Sequence, residues 1–139
     1  MSLDDCRLLE FPTVPDHRGN LAFIEGSRHV PFPIARVYYL YDVPGGAVRG
    51  GHAHRALHEV LIAITGSFDV TLDDGQTKRT WTLRQSNRGL HVLPMAWREL
   101  TNFTSGSICV VLTSLPYDET DYIREYSEFL AEMKRKRGA

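Results

Sequence analysis

Apolar and polar positions alternate over short stretches along most of this chain, and only near the C-terminal end does the spacing lengthen. Alternation sends successive side chains to opposite faces of an extended strand. The pattern predicts strands at residues 8–11, 21–25, 34–43, 59–65, 68–72, 78–83, 89–93, 98–103 and 108–114. Between them lie turn signals: Asp16-His17-Arg18-Gly19, Pro44-Gly45-Gly46, Gly66-Ser67 and Asp73-Asp74-Gly75. Short strands punctuated in this way mark an all-β sandwich or barrel. The tail changes period. Tyr122, Tyr126, Phe129, Leu130 and Met133 recur at helical intervals, and Asp118 is a cap, so a C-terminal α-helix is expected over about 118–136. No repeat or second hydrophobic unit interrupts the pattern, which gives one domain over residues 1–139.

Composition narrows the field only a little. A chain of 139 residues with 42% hydrophobic content is long enough to bury a sizeable core, and a formal net charge of -1 gives no reason to expect nucleic acid as partner. The basic run at 134–137 falls at the end of the expected helix, where cations suit the carbonyl end of the dipole. Cys6 and Cys109 show neither metal spacing nor a disulfide framework. Asp4, Asp5 and Arg7 stand where a secretory leader would be apolar, and no run of 18 apolar residues occurs, so the expected setting is cytoplasmic and away from membranes.

Chemistry concentrates in the stretch from Gly46 to Gly66. His52 and His54 sit two residues apart in an extended segment, so both rings should project into one space. Three uses of such a pair are open. The rings can be a hydrogen-bonded pair in a barrel wall. They can join Glu59 and a further histidine as metal ligands. They can also move protons without a metal, because imidazole titrates near neutrality. Arg49 could then stabilise an enediolate or hold a diphosphate. Arg18 or His17 could likewise reach an anionic ligand, and one tyrosine of the Tyr38, Tyr39, Tyr41 group could line a polar pocket while the others serve the core or an interface.

The spacing of Gly46, His52, His54, Glu59 and Gly66 resembles the first signature of the cupins, small jelly-roll barrels with an internal ligand site. Their second signature puts a histidine five residues after a proline; here that position after Pro94 is Glu99, with Arg98 beside it, and a guanidinium beside a divalent cation is unfavourable. His91 is the remaining substitute, but it precedes the proline.

Further residues narrow the resemblance. Arg36-Val37-Tyr38-Tyr39, Arg49-Gly50-Gly51-His52-Ala53-His54, Pro94-x-x-Trp97 and the string from Tyr117 to Arg124 are similar to the WxcM-like sugar-nucleotide 3,4-ketoisomerases. That resemblance implies a cupin-type jelly-roll homodimer, with exchange of N-terminal strands between subunits. It also implies a dTDP-linked 4-keto-6-deoxy sugar as substrate, with no metal and no organic cofactor. His52 and His54 would be the catalytic pair, with His52 as the base; Arg49, Arg18 and Tyr38 would line the sugar-diphosphate site, and His17, His91 and Arg98 are further candidates for substrate binding. Relatives often carry histidine where this chain has Arg98, so that histidine's role would fall to a neighbour such as His91. The alternatives are a dTDP-sugar 3,5-epimerase, a metal-dependent cupin enzyme and a non-catalytic sugar-binding cupin.

Overall fold

A computed structural model describes residues 2–138. The strands are β1 (Leu8–Glu10), β2 (Thr13–Val14), β3 (Leu21–Ala22), β4 (Arg36–Leu40), β5 (Arg49–His54), β6 (Glu59–Thr65), β7 (Phe68–Asp73), β8 (Lys78–Leu83), β9 (Arg88–Val92), β10 (Trp97–Thr101), β11 (Ile108–Thr113) and β12 (Tyr122–Ile123). One helix, α1 (Tyr126–Gly138), closes the chain. Two five-stranded antiparallel sheets face each other in the orders β1-β9-β6-β11-β4 and β12-β5-β10-β7-β8, and β2 and β3 form a separate hairpin. The non-sequential neighbours are those of a jelly roll, as the alternating pattern and the resemblance lead one to expect.

Two apolar layers explain why β6 breaks the alternation. Leu61 and Ala63 face the barrel interior with Phe68, Val70, Leu72, Leu90, Leu100, Cys109 and Val111. Val60 and Ile62 face outward, where Phe11, Val30 and Phe32 from the N-terminal segment cover them together with Leu112. A strand buried on both faces reads as a continuous apolar run. Further along the same outer face that cover stops. Val37, Tyr39, Tyr41 and Ile64 remain exposed beside it. On the opposite sheet, Ala53 and Trp97 point outward and pack under Phe129 and Met133 of α1. Gly66 makes the β6–β7 turn with φ of 71°, and a Cβ there would sit 2.6 Å from Ser107 Cβ, so both the backbone angle and the space require glycine.

The C-terminal helix is shorter than the periodicity predicts. It starts at Tyr126, not near 118; Asp118 instead caps a 3-10 turn, Glu119–Asp121, by accepting from Thr120 N. The backbone of Tyr122–Ile123 is taken up by pairing with β5, Tyr122 opposite His54 and Ile123 opposite Ala53, so it cannot also enter a helical ladder. Strand 21–25 is likewise reduced to Leu21–Ala22.

Candidate active site

The residues flanking the site come from both sheets and meet inside the barrel. From the first sheet, Tyr38 on β4 and Glu59 on β6 point inward; from the second, His52 and His54 on β5 and Arg98 on β10 point back at them. Glu59 and Arg98, each 1% exposed, pair across the interior. Arg98 Nη2 also donates to Ala96 O at 2.9 Å, and Tyr38 Oη donates to the second Glu59 oxygen at 3.3 Å. A buried ion pair is tolerable when its charges are matched and hydrogen-bonded, as these are save for Arg98 Nε, which has no partner.

A bulge decides what β5 shows to the cavity. Arg98 lies opposite His52 but Leu100 lies opposite Arg49, so β5 spends one residue more than β10 over this stretch. Gly50 supplies it with φ of 77°. In a regular strand residues i and i+3 point to opposite faces; the extra residue restores parity. Arg49 and His52 therefore line the same cavity, of about 430 Å³, with Arg36, Tyr38, Tyr122 and Arg124.

The two histidines do share a face, yet their positions differ. Their ring centroids are 4.9 Å apart and nearly perpendicular. His52 lines the cavity, whereas His54 is fully buried behind it, with the Tyr122 ring centroid at 4.3 Å. Neither Nε2 has a hydrogen-bond partner within the protein. On its other side His54 Nδ1 meets Asp121 Oδ2 at 3.2 Å. Burial first, and then the Arg98 guanidinium, lower His52 to about 3 and His54 to about 2, so both rings are neutral at pH 7. Burial foremost, reinforced by Glu59, pushes the Tyr38 phenol far above its ordinary value, which keeps it a hydrogen-bond donor.

Cations rim the opening. Arg36 stacks over Tyr38 and Tyr117, at 5.1 and 5.5 Å, and Arg124 over Tyr122 at 4.1 Å. Glu119 holds Arg124 by two hydrogen bonds of 2.6 and 2.8 Å. With Arg49 these make a cationic mouth, of the kind that suits an anion, above the neutral His52 ring.

His52, His54 and Glu59 also offer donor atoms within 4.8 Å of one another, a geometry a metal ion could use. The chemistry of the set opposes it. Both Glu59 oxygens already accept hydrogen bonds, one from the Arg98 guanidinium, so a divalent cation would meet a fixed positive charge in a buried space.

Several sequence expectations need correcting. His91 does not reach this cavity: its Nε2 lies 3.1 Å from His58 Nδ1, the two rings stack beneath Phe32, and neither faces His52. It therefore does not replace the missing histidine. Arg98 stands behind the site as Glu59's partner, not along the cavity lining. His17 and Arg18 occupy the β2–β3 loop, 91% and 80% exposed, where Arg18 pairs with Asp16 at 2.8 Å, and neither lines this chain's own cavity. Sequence reasoning in turn missed Asp121, Tyr122 and Arg124, because a helical period was read through them. The dense acidic and aromatic string from Tyr117 to Arg124 was the available signal.

A family model described as WxcM-like, C-terminal (FdtA) matches residues 4–134. The chain is 44% identical over 123 residues, 88% of each sequence, to a protein named TDP-4-oxo-6-deoxy-alpha-D-glucose-3,4-oxoisomerase from Aneurinibacillus thermoaerophilus. Among solved structures, a His-to-Asn mutant of the 3,4-ketoisomerase QdtA from Thermoanaerobacterium thermosaccharolyticum, in complex with TDP-4-keto-6-deoxyglucose, is 39% identical. It superposes with a TM-score of 0.94 over 96% of this chain and 97% of that one. The WlaRB TDP-quinovose 3,4-ketoisomerase from Campylobacter jejuni is 41% identical, with a TM-score of 0.87 over 91% of this chain and 98% of that one.

Proposed function

From the premise that this chain belongs to the WxcM-like, C-terminal family, we propose that it is a sugar-nucleotide 3,4-ketoisomerase acting on dTDP-4-keto-6-deoxyglucose. The observation that carries the reading is a pair of neutral imidazoles, their Nε2 atoms without protein partners, one lining and one directly behind a cavity whose mouth holds three arginines. The arginines suit a diphosphate, and the cavity suits a ketose.

His52, the ring that lines the cavity, removes the C3 proton. The C–H electrons form the C3–C4 double bond, and the C4 carbonyl oxygen takes the proton now held by His52 to give the enediol. His54 takes the C3 hydroxyl proton on the Nε2 lone pair and delivers it to C4, which leaves the ketone at C3 and the imidazole neutral again. Every electron stays within the sugar, so the step balances without a redox partner or a metal. Tyr38, whose hydroxyl proton goes to Glu59, can accept from a sugar hydroxyl, and Arg49, with Arg36 and Arg124, can hold the diphosphate.

Incubation with dTDP-4-keto-6-deoxyglucose in D2O tests this reading, with the product identified by proton NMR. The expected product has its ketone at C3, and turnover is unchanged after chelation and metal analysis. Inversion at C3 and C5 with the ketone still at C4 would mean an epimerase, binding without exchange at C3 a non-catalytic protein, and loss of turnover on chelation a metal enzyme.

The same reading includes a homodimer. Val37, Tyr39, Tyr41 and Ile64 leave an apolar face open beside the edge strand β4, and Val14 and Leu21 are exposed on the hairpin. A partner covering this face, with the hairpin crossing to it, would carry Arg18 toward the second subunit's cavity. Sedimentation at micromolar concentration is expected to give a dimer, and Tyr39→Glu with Tyr41→Glu a monomer. A wild-type monomer would overturn the arrangement. No helix among the described residues is long and apolar enough to cross a membrane.

A further inference from the structure

We propose that Asp121 is a positioning residue, fixing His54 in the tautomer that carries its proton on Nδ1 and presents the Nε2 lone pair to the reaction space. The role in catalysis rests on the reading of His54 as a proton-transfer group, whereas the tautomer itself does not.

The geometry that points here begins with the carboxylate. Asp121 Oδ1 accepts from Ala56 N at 2.7 Å, and Oδ2 accepts from Leu57 N at 3.2 Å while facing His54 Nδ1 at the same distance. Two backbone amides thus aim the group, and the loop that carries it is tied down again by Arg55 N donating to Asp121 O at 2.8 Å. An ionised carboxylate can only accept, so the nitrogen facing it must donate. Imidazole in its neutral form holds one proton; with that proton on Nδ1, Nε2 is left as acceptor.

The ring has little freedom to do otherwise. It is fully buried, with Tyr122 against it at 4.3 Å and the His52 ring at 4.9 Å. Strand β12 places Tyr122 opposite His54 in register, so Asp121, the preceding residue, is brought to the ring by the same pairing. The molecule holds a second histidine pair for contrast: His58 Nδ1 and His91 Nε2 meet each other at 3.1 Å, with no carboxylate bonded to either among the described residues. Of these two pairs, it is the one at the cavity that has a carboxylate aimed at one nitrogen. Carboxylates that orient a metal-bound imidazole in this way are worth about 10- to 100-fold in metal affinity or activity, and an orienting role of the same kind sets the scale here.

The test reads the tautomer directly. In protein labelled with 15N-histidine, long-range 1H–15N correlation at pH 7.5, with His54 assigned by its loss in His54→Gln, is expected to show a protonated Nδ1 and an unprotonated Nε2. Asp121→Asn should weaken or reverse that preference and lower kcat by about 10- to 100-fold with KM within about twofold. A wild-type His54 protonated on Nε2 would overturn the proposal, as would an Asn variant with the parental tautomer and parental kcat. Should the variant fail to fold, the wild-type spectrum alone decides. Since that spectrum needs no substrate, failure of the ketoisomerase assignment is read separately, from the product.

Discussion

His52→Asn is expected to lower kcat by about 10²- to 10⁴-fold, the usual contribution of a positioned general base, while circular dichroism and the melting temperature stay near the parental values. The asymmetry follows from where the ring sits. His52 lines the cavity and its Nε2 has no protein partner, so no internal hydrogen bond from that nitrogen is lost when an amide replaces it. KM should change little, because the groups proposed to hold the diphosphate are Arg49, Arg36 and Arg124. The pH profile of the parental enzyme is a companion measurement. Burial and the Arg98 and Arg124 guanidiniums, partly opposed by Glu119, bring the His52 pKa down to about 3. A base must be neutral to act, so activity is present above that pKa and lost as pH falls through it. The profile of kcat/KM should therefore be flat from pH 8 to about 5, with no acid limb at the ordinary imidazole value of about 6.5. An acid limb near 6.5, or an Asn variant at the parental rate, would remove His52 from this role.

The largest effect on stability is expected at the ion pair that joins the two sheets. Glu59→Leu leaves the Arg98 guanidinium in the interior with Ala96 O as its remaining partner. Stranding one member of a buried pair costs about 3–5 kcal/mol. For a domain of this size the melting temperature should drop by roughly 10 °C or more. Arg98→Met strands Glu59 in the same way, with only the Tyr38 hydroxyl left to it. The double variant, Glu59→Leu with Arg98→Met, removes both charges and should recover most of the loss, since apolar replacement of an entire buried pair is often neutral. Thermal denaturation of the four proteins forms a double-mutant cycle. If the double variant loses the sum of the two single losses, pairing across the barrel is not what holds the sheets at this point.

These two residues show how far a chain can be read before it is folded. Glu59 heads an apolar strand and Arg98 follows a tryptophan, and nothing in either neighbourhood announces the other, 39 positions away. Arg98 was legible as an obstacle to a metal site, by counting from Pro94, but not as the partner that occupies Glu59. The β2–β3 loop illustrates the reverse case. His17 and Arg18 sit in a motif that suggests ligand contact, yet within one chain they meet only Asp16. The tail was misjudged for a physical reason: Tyr122 fits a helical stripe by spacing, but pairing with β5 outweighed that local preference.

Local alternation and turn residues are short-range properties, so the sequence by itself determined the all-β architecture, the terminal helix as an element, and the fact that His52 and His54 look the same way. Tertiary structure decided what depends on contacts distant along the chain. The bulge at Gly50 turned Arg49 to the cavity, the two sheets brought Glu59 to Arg98, and the returning strand delivered Asp121 to His54. Parity along one strand is written in neighbouring residues; depth within a closed barrel is set by the elements that pack around it. That is why two imidazoles equivalent in the sequence became one ring at the cavity wall and one held behind it.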